Sequence, residues 1–289
     1  MKSPTPRLLT AAAAVLLSFT LTGCVGLWGN RRHHEATSVV QFLYPARDLP
    51  FIQPQIPTLR LPLRVGVAFI PPGAPDAAYG RYAVQANFTE PQKTDLMRKV
   101  AAQFKALPFV QSIEIIPTIY LRPGGGFENL DQLRSMLGID VIALIAYDQA
   151  QNSWDTEASL AYWTIVGAYV VPAQRNSTNT LMEAVVYDIP SRSLLFRAPG
   201  TSSMKHSSTL IRADYELQKD SARGIEEASA QMTTHLAEEI ELFKVRAREQ
   251  PESIRIEHKP GYTGGGSLDG AFVIAVLIVG TLAVRRSRR

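Results

Sequence analysis

The stretch Val65-Gly-Val-Ala-Phe-Ile70 is a short apolar run that ends at Pro71-Pro72-Gly73. An apolar run of this length that ends at turn-forming residues indicates a buried strand. Two similar runs follow in the chain, Val110–Ile116, which is rich in β-branched residues, and Asp140–Tyr147. The sequence therefore predicts three buried strands between residues 65 and 147.

The segments between these strands predict two helices. Thr89 is a suitable N-cap, and Pro91 is tolerated in a first helical turn. Apolar residues then recur at helical spacing until Pro108, namely Leu96, Val100, Phe104 and Leu107. A second helix follows residues 122–126 and ends at the expected C-cap Gly138, with Leu130, Leu133 and Leu137 on one face. The order strand–helix–strand–helix–strand favours right-handed parallel crossovers.

The second half of the chain has a different pattern. Ala158–Val171 predicts a long strand, and Thr180–Tyr187 with Leu194–Ser202 predicts a β-hairpin around residues 188–192. Ser208–Ala247 is mostly helical in pattern, with core candidates Leu217, Ile225, Met232, Leu236, Ile240 and Phe243. The fold class predicted for residues 63–250 is α/β, a mixed β-sheet with two or three packed helices. The element order is similar to that of the amino-terminal domains of TolB-like and curli-secretion-like envelope proteins.

The first 24 residues have the features of an export signal. Lys2 and Arg7 precede an apolar stretch, and residues 1–23 are predicted to be a lipoprotein signal peptide. The end of this segment, Leu21-Thr-Gly-Cys24, resembles the bacterial lipobox. The resemblance implies diacylglycerol on the Cys24 sulfur, cleavage after Gly23 and acylation of the new amino group. Cys24 is the only cysteine in the chain, and the alternative is an ordinary signal peptide with a chance cysteine.

Residues 24–62 are polar and then rich in proline, with Pro45, Pro50, Pro54, Pro57 and Pro62. Proline at this spacing favours an extended, semi-rigid backbone. The sequence therefore predicts a tether over 24–62, in which His33-His34 is solvated and is not a metal site.

The C-terminal residues form a three-part pattern. A linker over 251–267 ends in Gly264-Gly265-Gly266-Ser267, an apolar segment spans 268–284, and a cationic stop occupies 285–289. The uncharged part of the apolar segment is shorter than the roughly 20 residues that a bilayer-spanning helix needs. The arrangement resembles the GlyGly-CTERM sorting signal, which rhombosortase proteases cut, here between Gly264 and Gly270. The alternative is a permanent C-terminal transmembrane anchor.

A lipobox and a GlyGly-CTERM tail on one chain resemble the rhombotarget lipoprotein family. This resemblance implies membrane lipid, lipoprotein-processing enzymes and a rhombosortase-type protease as partners. Val25 after the anchor favours the outer membrane or cell surface over retention at the inner membrane. The middle domain is then expected to bind an envelope protein without being an enzyme. The alternatives are a subunit of an envelope export assembly and an envelope enzyme.

The charge of the processed chain excludes one class of partner. Six of the 30 Lys and Arg residues and one of the 26 Asp and Glu residues lie outside 24–266. The remaining 24 basic and 25 acidic residues give a formal charge of −1. A nucleic-acid partner is not expected, because such proteins carry a basic surface.

The middle of the chain contains few candidates for chemistry, and no cofactor or metal is predicted. Residues 122–126, Arg-Pro-Gly-Gly-Gly, precede a helix but lack the Lys-Ser/Thr of a phosphate-binding loop. Asp148 follows a predicted parallel strand, where open α/β sheets bind ligands, and is interpreted as a loop carboxylate. His206, His235 and His258 are isolated in sequence. If the protein is an enzyme, polar residues should converge near Asp148.

Aromatic residues cluster around the strand predicted at 158–171, namely Trp154, Tyr162, Trp163 and Tyr169. Packing in the core or on the sheet is the simpler interpretation. The alternative is an exposed aromatic edge that recruits a partner or contacts the membrane.

Overall fold

A computed structural model describes residues 31–45, 55–72, 88–163 and 165–262. The strands are β1 (Arg31–Ala36), β2 (Thr58–Leu61), β3 (Leu63–Phe69), β4 (Val110–Ile116), β5 (Val141–Asp155), β6 (Gln174–Asp188), β7 (Ser193–Ser208) and β8 (Arg255–His258). The α-helices are α1 (Val39–Leu43), α2 (Glu90–Lys105), α3 (Gly126–Leu137), α4 (Ile165–Val170) and α5 (Ala213–Glu249). Shorter 3₁₀ segments occupy Thr118–Tyr120, Glu157–Trp163 and Leu210–Arg212. The predicted α/β class with a mixed sheet is confirmed.

Within the described residues, the main sheet has the strand order β4-β3-β5-β6-β7. β3 pairs in parallel with both β4 and β5, as the predicted crossovers require. β5, β6 and β7 form an antiparallel meander that contains the predicted hairpin. The long β5 pairs with β3 along its first half and with β1 along its second half, where Arg31 lies opposite Ser153.

The two faces of the sheet carry separate apolar clusters, because successive side chains of a strand point to opposite faces. Val141, Ala143 and Ile145 lie in the cluster beneath α2 and α5. Ile142 and Leu144 lie in the cluster beneath α1 and α3. The first half of β5 is thus buried on both sides.

The two predicted helix boundaries in the first half have the expected caps. At the start of α2, the Thr89 backbone N–H donates to Gln92 Oε1 at 2.9 Å, which closes a capping box. At the end of α3, Gly138 has a φ of 67° and its N–H donates to the Arg134 carbonyl at 2.8 Å. An alanine Cβ at Gly138 would also lie 2.5 Å from Arg64 Nη1.

The 37-residue helix α5 lies along β6 and β7. Its five predicted core residues Ile225, Met232, Leu236, Ile240 and Phe243 are buried, and Leu217 is half-buried. Two glycines permit the close contact between α5 and the sheet. A Cβ on Gly200 of β7 would lie 2.1 Å from the Ala228 carbonyl oxygen, and one on Gly224 of α5 would lie 2.6 Å from Thr180 Oγ1.

The predicted tether over 24–62 is wrong for the residues that the structure describes in that range. β1 is a strand of the main sheet, and Phe42 and Leu43 of α1 are each only 2% exposed. β2 pairs in parallel with β8, so the domain extends beyond 63–250 on both sides. The physical reason is the burial of apolar side chains. Phe42, Leu43 and Leu59 lose contact with water in the folded domain, which is favourable and which a solvated spacer could not provide.

The strand predicted at 158–171 is also wrong, since this segment forms a 3₁₀ turn and the short helix α4. Pairing of β5 with β6 ends at Asp155 opposite Gln174. The second half of β5 already has β1 and β6 as neighbours, and β6 has β5 and β7. A further strand in this position could therefore not pair directly with β5 or β6.

The domain has two well-separated ends. At one end, which we call the Arg31 end, β1 begins, β5 ends, β6 begins and β7 ends. The strand register places Asp155 opposite Gln174 and Gln174 opposite Ser208, with Arg31 nearby opposite Ser153. At the opposite Lys259 end, Lys259 Nζ lies 3.0 Å from Asp140 Oδ2, just before β5 begins. The length of β5 separates the two ends by about 46 Å at the usual rise of a strand.

Candidate functional site

Buried polar side chains converge at one place, between α5 and three strand segments: the second halves of β5 and β7 and the first half of β6. We call this group the polar layer, and its members are Gln149, Gln151, Ser153, Asn176, Thr178, Thr180, Ser202, Ser208, Asp220 and Ser221. These residues lie on the same face as the apolar cluster beneath α5 and continue it toward the Arg31 end. Polar groups at this depth need hydrogen-bond partners, since an unpaired one costs free energy.

The two glutamines of the polar layer join the sheet to the helix. Gln149 Nε2 donates to Thr180 Oγ1 at 2.9 Å and to the Ser221 carbonyl at 3.2 Å, and Gln149 Oε1 accepts from Ser221 Oγ at 2.6 Å. Gln151 Nε2 donates to the Leu217 carbonyl at 2.8 Å. These bonds fix the position of the first half of α5 on the sheet.

The polar layer includes one imidazole–carboxylate pair. His206 Nδ1 lies 2.9 Å from Asp220 Oδ2, and the His206 side chain is half-exposed whereas that of Asp220 is 5% exposed. An ionised carboxylate only accepts hydrogen bonds, so in such a pair the imidazole nitrogen is the donor. The pair can orient an imidazole toward solvent or attach the end of β7 to α5. His235 also links these elements, since its Nδ1 lies 2.6 Å from the Pro199 carbonyl on the free edge of β7.

The hydrogen-bond network ends at the Arg31 end of the domain. Asp155 Oδ1, Gln174 Oε1 and Thr209 Oγ1 are buried and have no hydrogen-bond partner among the described residues. In the described part of the chain, no group of three or more His, Cys, Asp or Glu side chains is placed to hold a metal ion.

Asp148, interpreted from the sequence as a loop carboxylate, lies within β5. Its side chain is on the face opposite α5, where Asp148 Oδ1 lies 2.8 Å from His34 Nε2 of β1. The polar layer is therefore next to Asp148 in sequence but on the other side of the sheet. The loop assignment is wrong because the alternating pattern of Gln149, Gln151 and Ser153 continues the strand with polar residues in the buried positions.

The glycine-rich segment before α3 forms a closed turn. The Arg122 backbone N–H donates to Asn129 Oδ1 at 2.9 Å, and the Gly125 N–H donates to the Arg122 carbonyl at 2.8 Å. An added Cβ on Gly125 would lie 2.8 Å from the Asn129 Cβ. Asn129 thus occupies the hollow in which a phosphate would have to lie.

The turn between β6 and β7 holds a buried carboxyl group. Asp188 Oδ2 accepts hydrogen bonds from the Ser191 backbone N–H at 3.0 Å and from the Ser191 hydroxyl. Burial raises the pKa of Asp188 above its ordinary value, and the Ser191 hydrogen bonds oppose this shift. The group stabilises a tight turn at the Lys259 end, far from the polar layer.

One small apolar cavity lies between the second halves of α2 and α5. Its volume is about 30 Å³, and its lining includes Phe104, Phe196 and Ile240. A single water molecule needs about 10–15 Å³ of such space, so the cavity is too small for a lipid chain or a cofactor.

The face of the sheet opposite α5 carries a group of solvent-exposed residues on β6 and β7. We call it the open face, and its exposed residues are Arg175, Asn179, Leu181, Thr201, Ser203, Lys205 and Ser207. Ser203 Oγ donates to Asn179 Oδ1 at 2.8 Å across the two strands. Hydroxyl, amide and cationic groups on a flat surface can form hydrogen bonds with a protein partner.

The remaining residues singled out from the sequence lie elsewhere. Gly23, Cys24 and the segment 264–267 lie outside the described residues, as do the predicted signal peptide over 1–23 and the apolar segment 268–284. Trp154 is 38% exposed and Tyr169 is 62% exposed, both at the Arg31 end. None of the helices in the described ranges is long and apolar enough to cross a bilayer.

Comparisons with known proteins give little further guidance. No protein-family profile matches this chain, and no curated protein matches it either. Among solved structures, the chain is similar to a PelC variant dodecamer from Paraburkholderia phytofirmans. The two sequences are 9% identical, the TM-score is 0.25, and the match covers 74% of this chain and 97% of that chain. A TM-score this low carries no argument about the function of the present protein.

Proposed function

We propose that this chain is a bacterial cell-envelope lipoprotein, anchored by acyl chains on Cys24 and displayed at the outer membrane or cell surface. Its tail is cut between Gly264 and Gly270 by a rhombosortase-type protease. The observation that carries the proposal is the lipobox-like Leu21-Thr-Gly-Cys24, which contains the only cysteine of 289 residues. Stable anchoring requires more than one acyl chain, and a triacylated cysteine meets that condition.

The start of the folded domain supports a position close to the lipid. β1 begins at Arg31, seven residues after Cys24. Seven residues span at most about 25 Å when fully extended. An anchor at Cys24 would therefore hold the Arg31 end of the domain near the membrane surface.

The function that we propose for the domain is non-enzymatic binding of an envelope protein. The open face is the surface available for this role, because it offers hydroxyl, amide and cationic groups without a helix packed on it in the described part of the chain. β7 forms the outer edge of this face. On that edge the Thr201 N–H already donates to Gln231 Oε1 at 2.6 Å, which favours binding through the face over strand addition at this position.

The test of anchoring is metabolic labelling of cells with an alkyne analogue of palmitate. The wild-type protein should take up the label, and Cys24→Ser should lose it. Thr22→Ser is the matched control, because it keeps a small residue in the lipobox and should leave labelling intact. Undiminished labelling of Cys24→Ser would refute the lipid anchor.

The test of the sorting tail is intact mass spectrometry of protein from cells with and without the protease. Replacement of Gly264, Gly265 and Gly266 by leucine should block cleavage and leave residues 271–289 attached. The physical reason is that each glycine weakens a helix by about 1 kcal/mol relative to alanine, which exposes the backbone to the protease. If wild-type protein from cells that contain the protease still ends at Arg289, the tail is a permanent anchor.

A further inference from the structure

An exposed apolar surface covers the Arg31 end of the domain. We call it the end patch, and its residues are Val166, Tyr169, Val170, Leu210, Ile211 and Tyr215. Their exposure ranges from 38% for Leu210 to 72% for Val166. The first three belong to α4 and the next two to the 3₁₀ turn Leu210–Arg212, and these two elements pack beside each other. The residues therefore form one surface.

The segment that supplies Val166, Tyr169 and Val170 to the end patch has an unusual composition for a solvent-exposed connection. The 16 residues from 158 to 173 contain no charged side chain. Trp154, 38% exposed, lies at the adjoining end of β5. Large exposed apolar patches mark interaction sites, and tyrosine and tryptophan beside aliphatic residues are typical of the membrane–water interface.

The position of the end patch indicates which surface covers it. β1 begins at the same end of the sheet, where Arg31 lies opposite Ser153. Cys24 lies seven residues earlier, within about 25 Å of Arg31 even if the connecting chain is fully extended. The surface that would hold the acyl chains is thus within reach of the end patch.

We infer that the end patch docks into the lipid surface in which Cys24 is anchored. This inference rests on the proposed lipid anchor. Val166, Val170 and Ile211 enter the boundary between headgroups and acyl chains, and Tyr169 and Tyr215 place their hydroxyls among the headgroups. The docked domain has a fixed orientation, with its Arg31 end on the membrane and its Lys259 end away from it.

The experiment uses the lipidated protein isolated from cells and reconstituted into vesicles of phosphatidylethanolamine and phosphatidylglycerol. Acylation consumes the only native thiol, so Val170→Cys offers a single site for an environment-sensitive fluorophore. Leu242→Cys is the matched control, since Leu242 is also an exposed aliphatic residue, at 55%, but lies on α5 toward the Lys259 end. A shallow spin-labelled lipid serves as quencher.

Docking predicts that the quencher removes about half of the emission at position 170, because the apolar face of an interfacial segment lies about 5–10 Å inside the surface. The emission at position 242 should change little. If acylated protein shows equally weak quenching at positions 170 and 242, the docking inference fails and the lipid anchor stands. This holds for protein with the C-terminal tail and for protein without it.

Two further outcomes are decisive. If wild-type protein takes up the thiol label and its mass lacks acyl chains, Cys24 is free, and both the lipid anchor and the docking inference fail. If position 170 is not quenched but Val170→Cys forms disulfide-linked dimers, a second copy of the chain covers the end patch. That result also overturns docking into lipid.

Discussion

Replacement of Gly200 by alanine tests how closely α5 lies on β7. The new Cβ would lie 2.1 Å from the Ala228 carbonyl oxygen and 2.5 Å from the Met232 backbone nitrogen. Both atoms belong to the helix backbone, so no side-chain rotation relieves the contact. The helix must retreat by about 1.3 Å to restore an ordinary contact of 3.4 Å.

The expected loss of stability follows from this displacement. Overpacking of a well-packed core costs about 1–3 kcal/mol, and here the retreat also loosens the contacts that Met232 and Ile225 make in the apolar cluster. Alanine restricts the unfolded chain more than glycine does, and this stabilises the folded state by only about 0.4–1 kcal/mol. We therefore expect the free energy of unfolding to fall by about 2–3 kcal/mol.

The assay is urea unfolding of residues 31–262, followed by far-UV circular dichroism. Ser203→Ala is the control, because Ser203 lies on the same strand but on the open face. Its free energy of unfolding should differ from that of the wild type by no more than about 0.5 kcal/mol. If Gly200→Ala is as stable as this control, α5 does not lie against β7 at the distance described.

Three further predictions concern the rest of the domain and use the same fragment and assay. Asp188 has a raised pKa in the folded state, so the folded protein binds this proton more tightly and loses stability as pH rises from 3.8 through the raised value. Asp188→Asn should reduce that loss of stability, and an equal loss in the variant would contradict the raised pKa of Asp188. Gln149→Leu should cost about 1–3 kcal/mol, because Ser221 Oγ loses its acceptor, whereas Asn152→Leu, on the side of β5 that faces away from α5, should cost little; equal effects would show that the polar layer does not fix α5. A fragment of residues 60–255 should unfold at lower urea than 31–262, because it lacks β1 and α1 and cuts through β2 and β8, and equal midpoints would show that these elements add nothing to stability.

The parts of the fold that could be predicted have local signals. The strand at Val65–Ile70 is bounded by prolines, and α2 begins at a capping threonine, so neighbouring residues alone determine these boundaries. The C-cap Gly138 is similar, because its left-handed backbone conformation is a local requirement.

The parts that could not be predicted depend on distant partners. β1 has the polar sequence Arg-Arg-His-His-Glu-Ala and becomes a strand by pairing with β5, more than a hundred residues later. The polar layer could not be predicted because its residues, such as Gln149, are polar but buried. A sequence pattern marks apolar residues as the buried ones, whereas these are held by a hydrogen-bonded network of distant partners. Segment 158–171 has the composition of a strand, but β5 and β6, between which it lies in sequence, are already paired on both edges there. The sequence did indicate an exposed aromatic edge as an alternative, and the exposed Tyr169 lies in that segment.

The placement of Lys259 beside Asp140 has a consequence for the C-terminal tail. The last described residue, Tyr262, follows Lys259 and so leaves the domain about 46 Å from the Arg31 end, measured along β5. The five residues 263–267 extend by at most about 18 Å. A domain held by Cys24 at one end and by an intact tail in the same bilayer at the other would have to recline along the membrane. Removal of the tail would let the domain stand upright on the membrane. Proteolysis would then change the orientation of the protein without changing its location.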